Sequence, residues 1–256
     1  MTFLRNLANK RLKATFFHLC ISALVASAVA ALVFSLWYPF PYDQLSGGRT
    51  LFFLVVTIDV VCGPLLTFVI FNPGKPRTEL VRDLGLVAAI QLLVLGYGLW
   101  AVMAARPLFL VHEVDRFRVI ATPELDASAL SRLPPDLKPS WFSQPTTIAL
   151  RAPNDEIERR SVLLDAIAGG RDYADRPEFY LPYDANNALK SLKRARPLAV
   201  FLQKRPEQSK AAQKLADDKK ADVTQWLYLP VVARQDWVAV IDKKGQIQGF
   251  LKGDGF

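Results

Sequence analysis

Asp59 is the one carboxylate inside the apolar run Leu51–Phe71. That run is about 21 residues long, enough to cross a bilayer core as a helix. An ionisable group held in a bilayer costs roughly 2.5 kcal/mol or more, so Asp59 needs a partner, a proton or water. Gly63-Pro64 follows one turn later, and the run ends at the turn signal Asn72-Pro73-Gly74 before Lys75 and Arg77. A charge, a helix breaker and a sharp exit in one span suit more than anchoring. Three roles are open to Asp59. It can fix helix packing by bonding Ser27, Thr57 or Tyr97. It can meet a polar group on another protein's membrane helix. A proton or ion path is the third, but a single acid makes a poor relay.

Little else in the sequence has the makings of a reaction centre. His112 is the one histidine after residue 105, and no Cys/His set has metal-ligand spacing. There is no G-x-S-x-G, no phosphate-binding glycine loop and no dinucleotide fingerprint. Glu113, Asp115 and Asp242 are indistinguishable by spacing from surface acids. Cys20 and Cys62 both lie in apolar runs, where cysteine behaves as a small hydrophobe. We expect no enzyme, no cofactor and no metal. The net charge of +8 is not concentrated in a basic patch: the part up to Ala104 has eight Lys/Arg against four Asp/Glu, the rest twenty-four against twenty. No nucleic-acid partner is expected.

Three apolar runs before residue 106 carry these residues. Residues 1–13 form a basic tail with Arg5, Lys10, Arg11 and Lys13 and no acid. Spans are expected at about 14–36, 51–71 and 84–104, together a 14–104 membrane region. The first is too long for a signal-peptide core and runs past the A-x-A-like Ala28-Val29-Ala30. Trp37-Tyr38-Pro39-Phe40-Pro41-Tyr42 fits an interfacial aromatic belt that stops the helix. The basic tail and the basic 72–82 loop put the N-terminus in the cytoplasm, and three crossings put residues 105–256 outside, in a periplasm. Equal-depth counting sets Ser27 or Ala28 and Tyr97 level with Asp59, with His18 nearer the cytoplasmic end. Ala23, Ser27 and Ala31 recur at i+4, a small-residue stripe for contact within the bundle or with a foreign helix.

The fold class expected is a three-helix membrane region followed by a small α+β domain with an antiparallel sheet. Leu108–Ile120 reads as one strand, 123–145 as a proline-broken loop and Thr146–Leu150 as a short strand. Asp155–Ala168 reads as a helix with Val162, Leu163, Leu164 and Ile167 inward, ended by Gly169-Gly170. Phe179–Tyr183 reads as an aromatic turn, and 186–194 and 207–219 as helices. Residues 226–233, 237–242 and 246–251 should form a meander, with Gly245 at a positive-φ turn position. Trp237 and a free sheet edge are candidates for an outer recognition surface.

These residues resemble the TfpX/TfpZ family of type IV pilin accessory proteins over nearly the whole chain. The resemblance is carried by Trp37-Tyr38-Pro39, by Asp59…Gly63-Pro64-Leu65-Leu66-Thr67 and by Phe71-Asn72-Pro73-Gly74-Lys75. It continues through Ala105-Arg106-Pro107, Asp115-Arg116-Phe117, Tyr180-Leu181-Pro182-Tyr183, Leu229-Pro230 and Asp236-Trp237. It implies a multi-pass inner-membrane protein that assists pilus assembly, extension and retraction, and so twitching motility. The implied partners are the major type IV pilin and the assembly machinery, besides membrane lipid. The family supplies no catalytic residues. From physics, the partner-binding candidates are Asp59, Ser27, Ala23, Ala31, Gly63, Pro64, Tyr97 and Trp237. The alternative is a membrane-anchored periplasmic sensor or regulatory binding module.

Overall fold

The computed structural model describes residues 2–256, with side chains from Ala8 onward. Met1 and the Arg5 side chain of the expected basic tail therefore lie outside the described residues. The chain divides into two compact units, 1–36 with 48–104, and 37–47 with 105–256.

The first unit is three helices. α1, Thr2–Leu32, includes the basic segment and runs on through a π-helical turn to Trp37. A one-turn helix α2, Tyr42–Leu45, follows, then α3, Gly48–Ile70, and α4, Arg77–Ala104. All three long helices have the length and hydropathy to cross a membrane. α4 begins seven residues before the expected span, since Arg77, Glu79, Arg82 and Asp83 extend the helix beyond its apolar part. α3 is central and packs on both α1 and α4. Its buried residues Phe52, Asp59, Gly63 and Thr67 recur at seven and four, one face of a helix. On the α1 side, Ser22, Ala26 and, in the turn beyond, Val33 are buried. Elsewhere Leu24, Val69 and Leu93 stand exposed, as they would towards lipid.

The second unit is a sheet covered on both faces. Its strands are β1 Pro107–His112, β2 Phe117–Ala121, β3 Thr146–Leu150, β4 Tyr180–Pro182, β5 Arg196–Pro197, β6 Leu227–Val232, β7 Trp237–Ile241 and β8 Ile247–Lys252. The order is β4-β3-β1-β2-β6-β7-β8, with β5 beside β6. The sheet is mixed, not antiparallel as expected: β1 pairs with β3 in parallel, and so does β2 with β6. Two long crossovers, 122–145 and 122–226, create those pairs. The run 108–120 is a hairpin rather than one strand, turned at 113–116 with the Glu113 N–H donating to the Arg116 carbonyl. The β6–β7–β8 meander forms as expected, and Gly245 sits at φ 76°.

β7 is buried at every position, and its alternate residues serve two cores. Trp237, Ala239 and Ile241 join Leu110, Phe117 and Leu229 on one face, with Tyr42 and Leu45. Val238 and Val240 join Leu198, Phe201, Ala212 and Ala216 on the other. There the cover is α8, Leu198–Lys204, and α9, Ser209–Lys219. A third cluster sets Phe109, Val111 and Ile148 under Leu133 and Leu137 from the 122–145 segment, which holds the short α5, Ala127–Ser131. The 37–47 loop thus belongs to this domain: Tyr38 is buried, and the Gln235 N–H donates to the Leu45 carbonyl. The sequence α8 spans was not expected to be helical. α6, Glu156–Ile167, is capped by Asp155 but buries only Val162 of the four residues expected inward. Leu163, Leu164 and Ile167 are exposed, because α6 touches its domain along the opposite face.

Candidate functional site

In the helix bundle the polar residues form two crossbridges on α3. Thr67 shares a hydrogen bond with the His18 ring nitrogen of α1. Higher on α3, the Gln91 amide of α4 donates to the Asp59 carbonyl at 3.2 Å. Gly63 makes room for that amide, since a Cβ there would stand 1.8 Å from it. Asp59 itself is buried, and its Oδ1 has no hydrogen-bond partner. The carboxylate therefore lies inside its own bundle, with Gly63 and Pro64 buried beside it along α3. Gln91 was missed because depth counting ignores which face of a helix a residue occupies. Tyr97, at the counted depth, is 70% exposed and stacks on Trp100 instead. His18 was expected to be an interfacial polar residue and is a bundle contact.

The small-residue stripe behaves in the opposite way. Ala23, Ser27 and Ala31 are exposed along α1, while Ser22 and Ala26, one position away, make the bundle contact. Ser27 hydrogen-bonds only back to the Ala23 carbonyl, at 2.8 Å. The stripe is open to a second helix.

Trp237, expected on an outer recognition surface, is buried among Tyr42, Leu45 and Leu229 and meets the Phe40 ring edge-on at 6.1 Å. It lies on an interior strand, and the free edges are β4 and β8. A concavity of the domain lies elsewhere. A groove of about 1110 Å³ opens where the parallel strands β1 and β3 end at His112 and Leu150. Arg116, Arg151, Lys190, Lys193 and Arg194 line it, against Glu113, Asp115 and Asp172.

Several of those charges are neutralised locally. Arg116 bonds Asp115 at 2.8 Å and holds its carboxyl below the usual range. Arg151 grips Glu158 with two bonds and pulls it down to about 2. Lys190, at the end of α7 (Ala185–Ser191), donates to Asn187, and the Arg194 charge helps to hold the Asp115 carboxyl down. His112 forms the floor. Its ring packs against Phe117 and Tyr183, its Nε2 is buried without a partner, and burial followed by the Lys190 charge lowers it to about 4. Burial also raises the Glu113 carboxyl. A neutral imidazole in a groove shared with Lys190, Lys193 and Arg194 can hold an anionic or hydrogen-bonding group. The described residues contain no cluster able to hold a metal ion. A lone histidine in a strand gave no signal of this groove, because its walls come from four separate segments.

A model of the fimbrial assembly protein FimB family matches residues 6–47, which is α1 and the loop beyond it. Over 242 residues the chain is 33% identical to the serogroup E1 fimbrial assembly protein of Dichelobacter nodosus, covering 93% of each. This chain belongs to the fimbrial assembly protein family. The serogroup I member from the same organism is 32% identical over the same share of both chains. A shorter member, of serogroups C1 and C2, is 44% identical over 104 residues, or 79% of its length. No solved structure matches. Membership fixes a role in fimbrial assembly, and the three apolar helices mark a membrane protein.

Proposed function

We propose that this chain is an inner-membrane accessory protein of the TfpX/TfpZ type, acting on the assembly and the extension and retraction of a type IV pilus by binding its own major pilin. In this reading the N-terminus is cytoplasmic and the 105–256 domain periplasmic, as the basic N-terminal segment and 72–82 loop favour. The observation that carries the reading is the relation to fimbrial assembly proteins over 93% of each chain. A pilin waiting in the membrane would lay its apolar helix along the exposed stripe Ala23, Ser27 and Ala31, where small side chains allow close backbone approach. Asp59 and Gln91 would hold the bundle that presents the stripe.

The test is a photoreactive residue at Ser27 in cells that make the pilus, with Ser22, turned into the bundle, as control. An adduct with the major pilin from Ser27 and none from Ser22 is the expected result. If the protein is present at normal levels and neither Ser27 nor Ala31 yields a pilin adduct, helix docking is wrong. Cells lacking the chain should also lose surface fimbriae, and their unchanged piliation would remove the assembly role itself.

A further inference from the structure

Two exposed aromatics sit at the tip of a self-bonded turn in the C-terminal domain. Trp141 is 65% exposed and Phe142 73%. The turn closes on itself: the Ser140 N–H donates to Ser143 Oγ, the Phe142 N–H to Ser140 Oγ, and the Ser143 N–H to the Ser140 carbonyl. Two outside donors then fix it. The Trp37 indole donates to the Trp141 carbonyl at 2.7 Å. Arg106 donates to the same carbonyl at 3.0 Å and to that of Ser140 at 2.6 Å.

The identity of those two donors locates the turn. Trp37 is the last residue of the first apolar helix. Arg106 stands two residues beyond Ala104, where the third helix ends, and a chain of two residues reaches at most about 7 Å. Both anchors are thus fixed by chain continuity close to span ends, and the turn lies within one side chain of each. Arg106 is only 8% exposed, and its guanidinium, stacked 6.0 Å from the Trp37 ring, serves two loop carbonyls. Burying a cation is costly, and here it secures the position of this turn. Phe40, three residues past Trp37, is 67% exposed as well, and Arg132 and Lys138 add exposed cations on the same segment.

We infer that Trp141 and Phe142 form a membrane-interface anchor, seated among the lipid headgroups and upper acyl chains. Aromatic side chains favour that layer, and the nearby cations suit lipid phosphate. The inference rests on the reading that the three apolar helices cross a bilayer. Both anchoring bonds use backbone carbonyls of the turn, so the tip side chains can be changed without removing them.

The experiment is spin-label accessibility on the full chain in phosphatidylethanolamine–phosphatidylglycerol vesicles, with no other protein. Cys20 and Cys62 are replaced by alanine and a label is placed in turn at Trp141→Cys, Phe142→Cys, Leu93→Cys and Lys210→Cys. The expected result is that labels at 141 and 142 collide more with oxygen and less with a water-soluble nickel complex than the label at 210. Leu93, 74% exposed on α4, reports the acyl region. If 93 contacts lipid while 141 and 142 match 210, the anchor is refuted, the spans stand, and the aromatic tip is left for a protein partner. If 93 also matches 210, the membrane reading falls and the anchor with it.

Discussion

Lowering the pH from about 7.5 to about 5.5 should destabilise the C-terminal domain through His112, by about 1.3 kcal/mol from linkage. Burial, with the Lys190 charge second, holds its imidazole down to about 4 in the folded chain against 6.5 for an open histidine. The unfolded chain takes up the proton first. His112 therefore leaves stability intact above about 6.5 and drains it as pH falls towards about 4. A domain of this size should lose roughly 3–5 °C in Tm across that interval. Glu113 works the other way, since burial raises its carboxyl and favours its protonated form in the folded state. His112→Phe separates the two, because an aromatic ring keeps the contacts with Phe117 and Tyr183 and removes the titration. The Tm difference between wild type and this variant, followed against pH in detergent, isolates the imidazole. A direct reading comes from NMR of the histidine ring carbons in the His18→Gln chain, which leaves one imidazole. An imidazole titrating near 6.5, or equal pH slopes for wild type and His112→Phe, would refute the burial reasoning.

Close helix contact can be tested at Gly98, where a Cβ would lie 2.2 Å from a methyl of the stiff side chain Val55. Gly98→Ala should cost about 1–3 kcal/mol and lower the amount of protein in membranes, with Val55→Ala restoring it. Gly245→Ala should destabilise by about 2 kcal/mol or more, because φ is 76° and a Cβ would strike the Ala188 carbonyl, a backbone atom. Thermal unfolding would show it, and an unchanged Tm would contradict the turn geometry. Asp59→Asn keeps the shape of a buried group that faces its own bundle, so protein abundance and surface fimbriae should both persist by immunoblot. Leu164→Ser on the exposed face of α6 should move Tm by no more than about 1 °C in either direction.

The long helices were legible because hydropathy over twenty residues is a one-dimensional signal. The face each residue takes is not. Asp59 was legible as anomalous, but Gln91, which bonds its backbone carbonyl, lies 32 positions away. Aromatic residues after a span read the same whether they enter the lipid interface or a protein core. Tyr38, Tyr42 and Leu45 enter the core, whereas Trp141 and Phe142, in a stretch that looked generic, stand exposed. The meander was legible through its local turns, of which Asp242 braces the last by accepting from Lys244 and Gln246. The parallel pairs were hidden because their partners are set by long crossovers. α6 misled because an apolar stripe marks a face that seeks cover without saying that this chain provides it.

The bundle separates two demands that a single charged residue in a span seems to merge. A carboxylate in a bilayer is strongly constrained, so it is tempting to assign it to the partner. Here the carboxylate is buried in its own bundle, where Gln91 reaches the Asp59 backbone carbonyl through the space left by Gly63 and His18 bonds Thr67 two turns below. On the exposed side of α1, Ala23, Ser27 and Ala31 leave a stripe of small side chains beside large ones such as Leu24. Helices associate in lipid through packing more than through burial of apolar area, so a flat stripe with close backbone approach suits a contact that forms and parts. A buried ion pair with a partner would be slow to break, because parting would strand a charge in hydrocarbon. Under the proposed function, a partner helix that docks and leaves would meet the outward stripe more readily than the inward carboxylate.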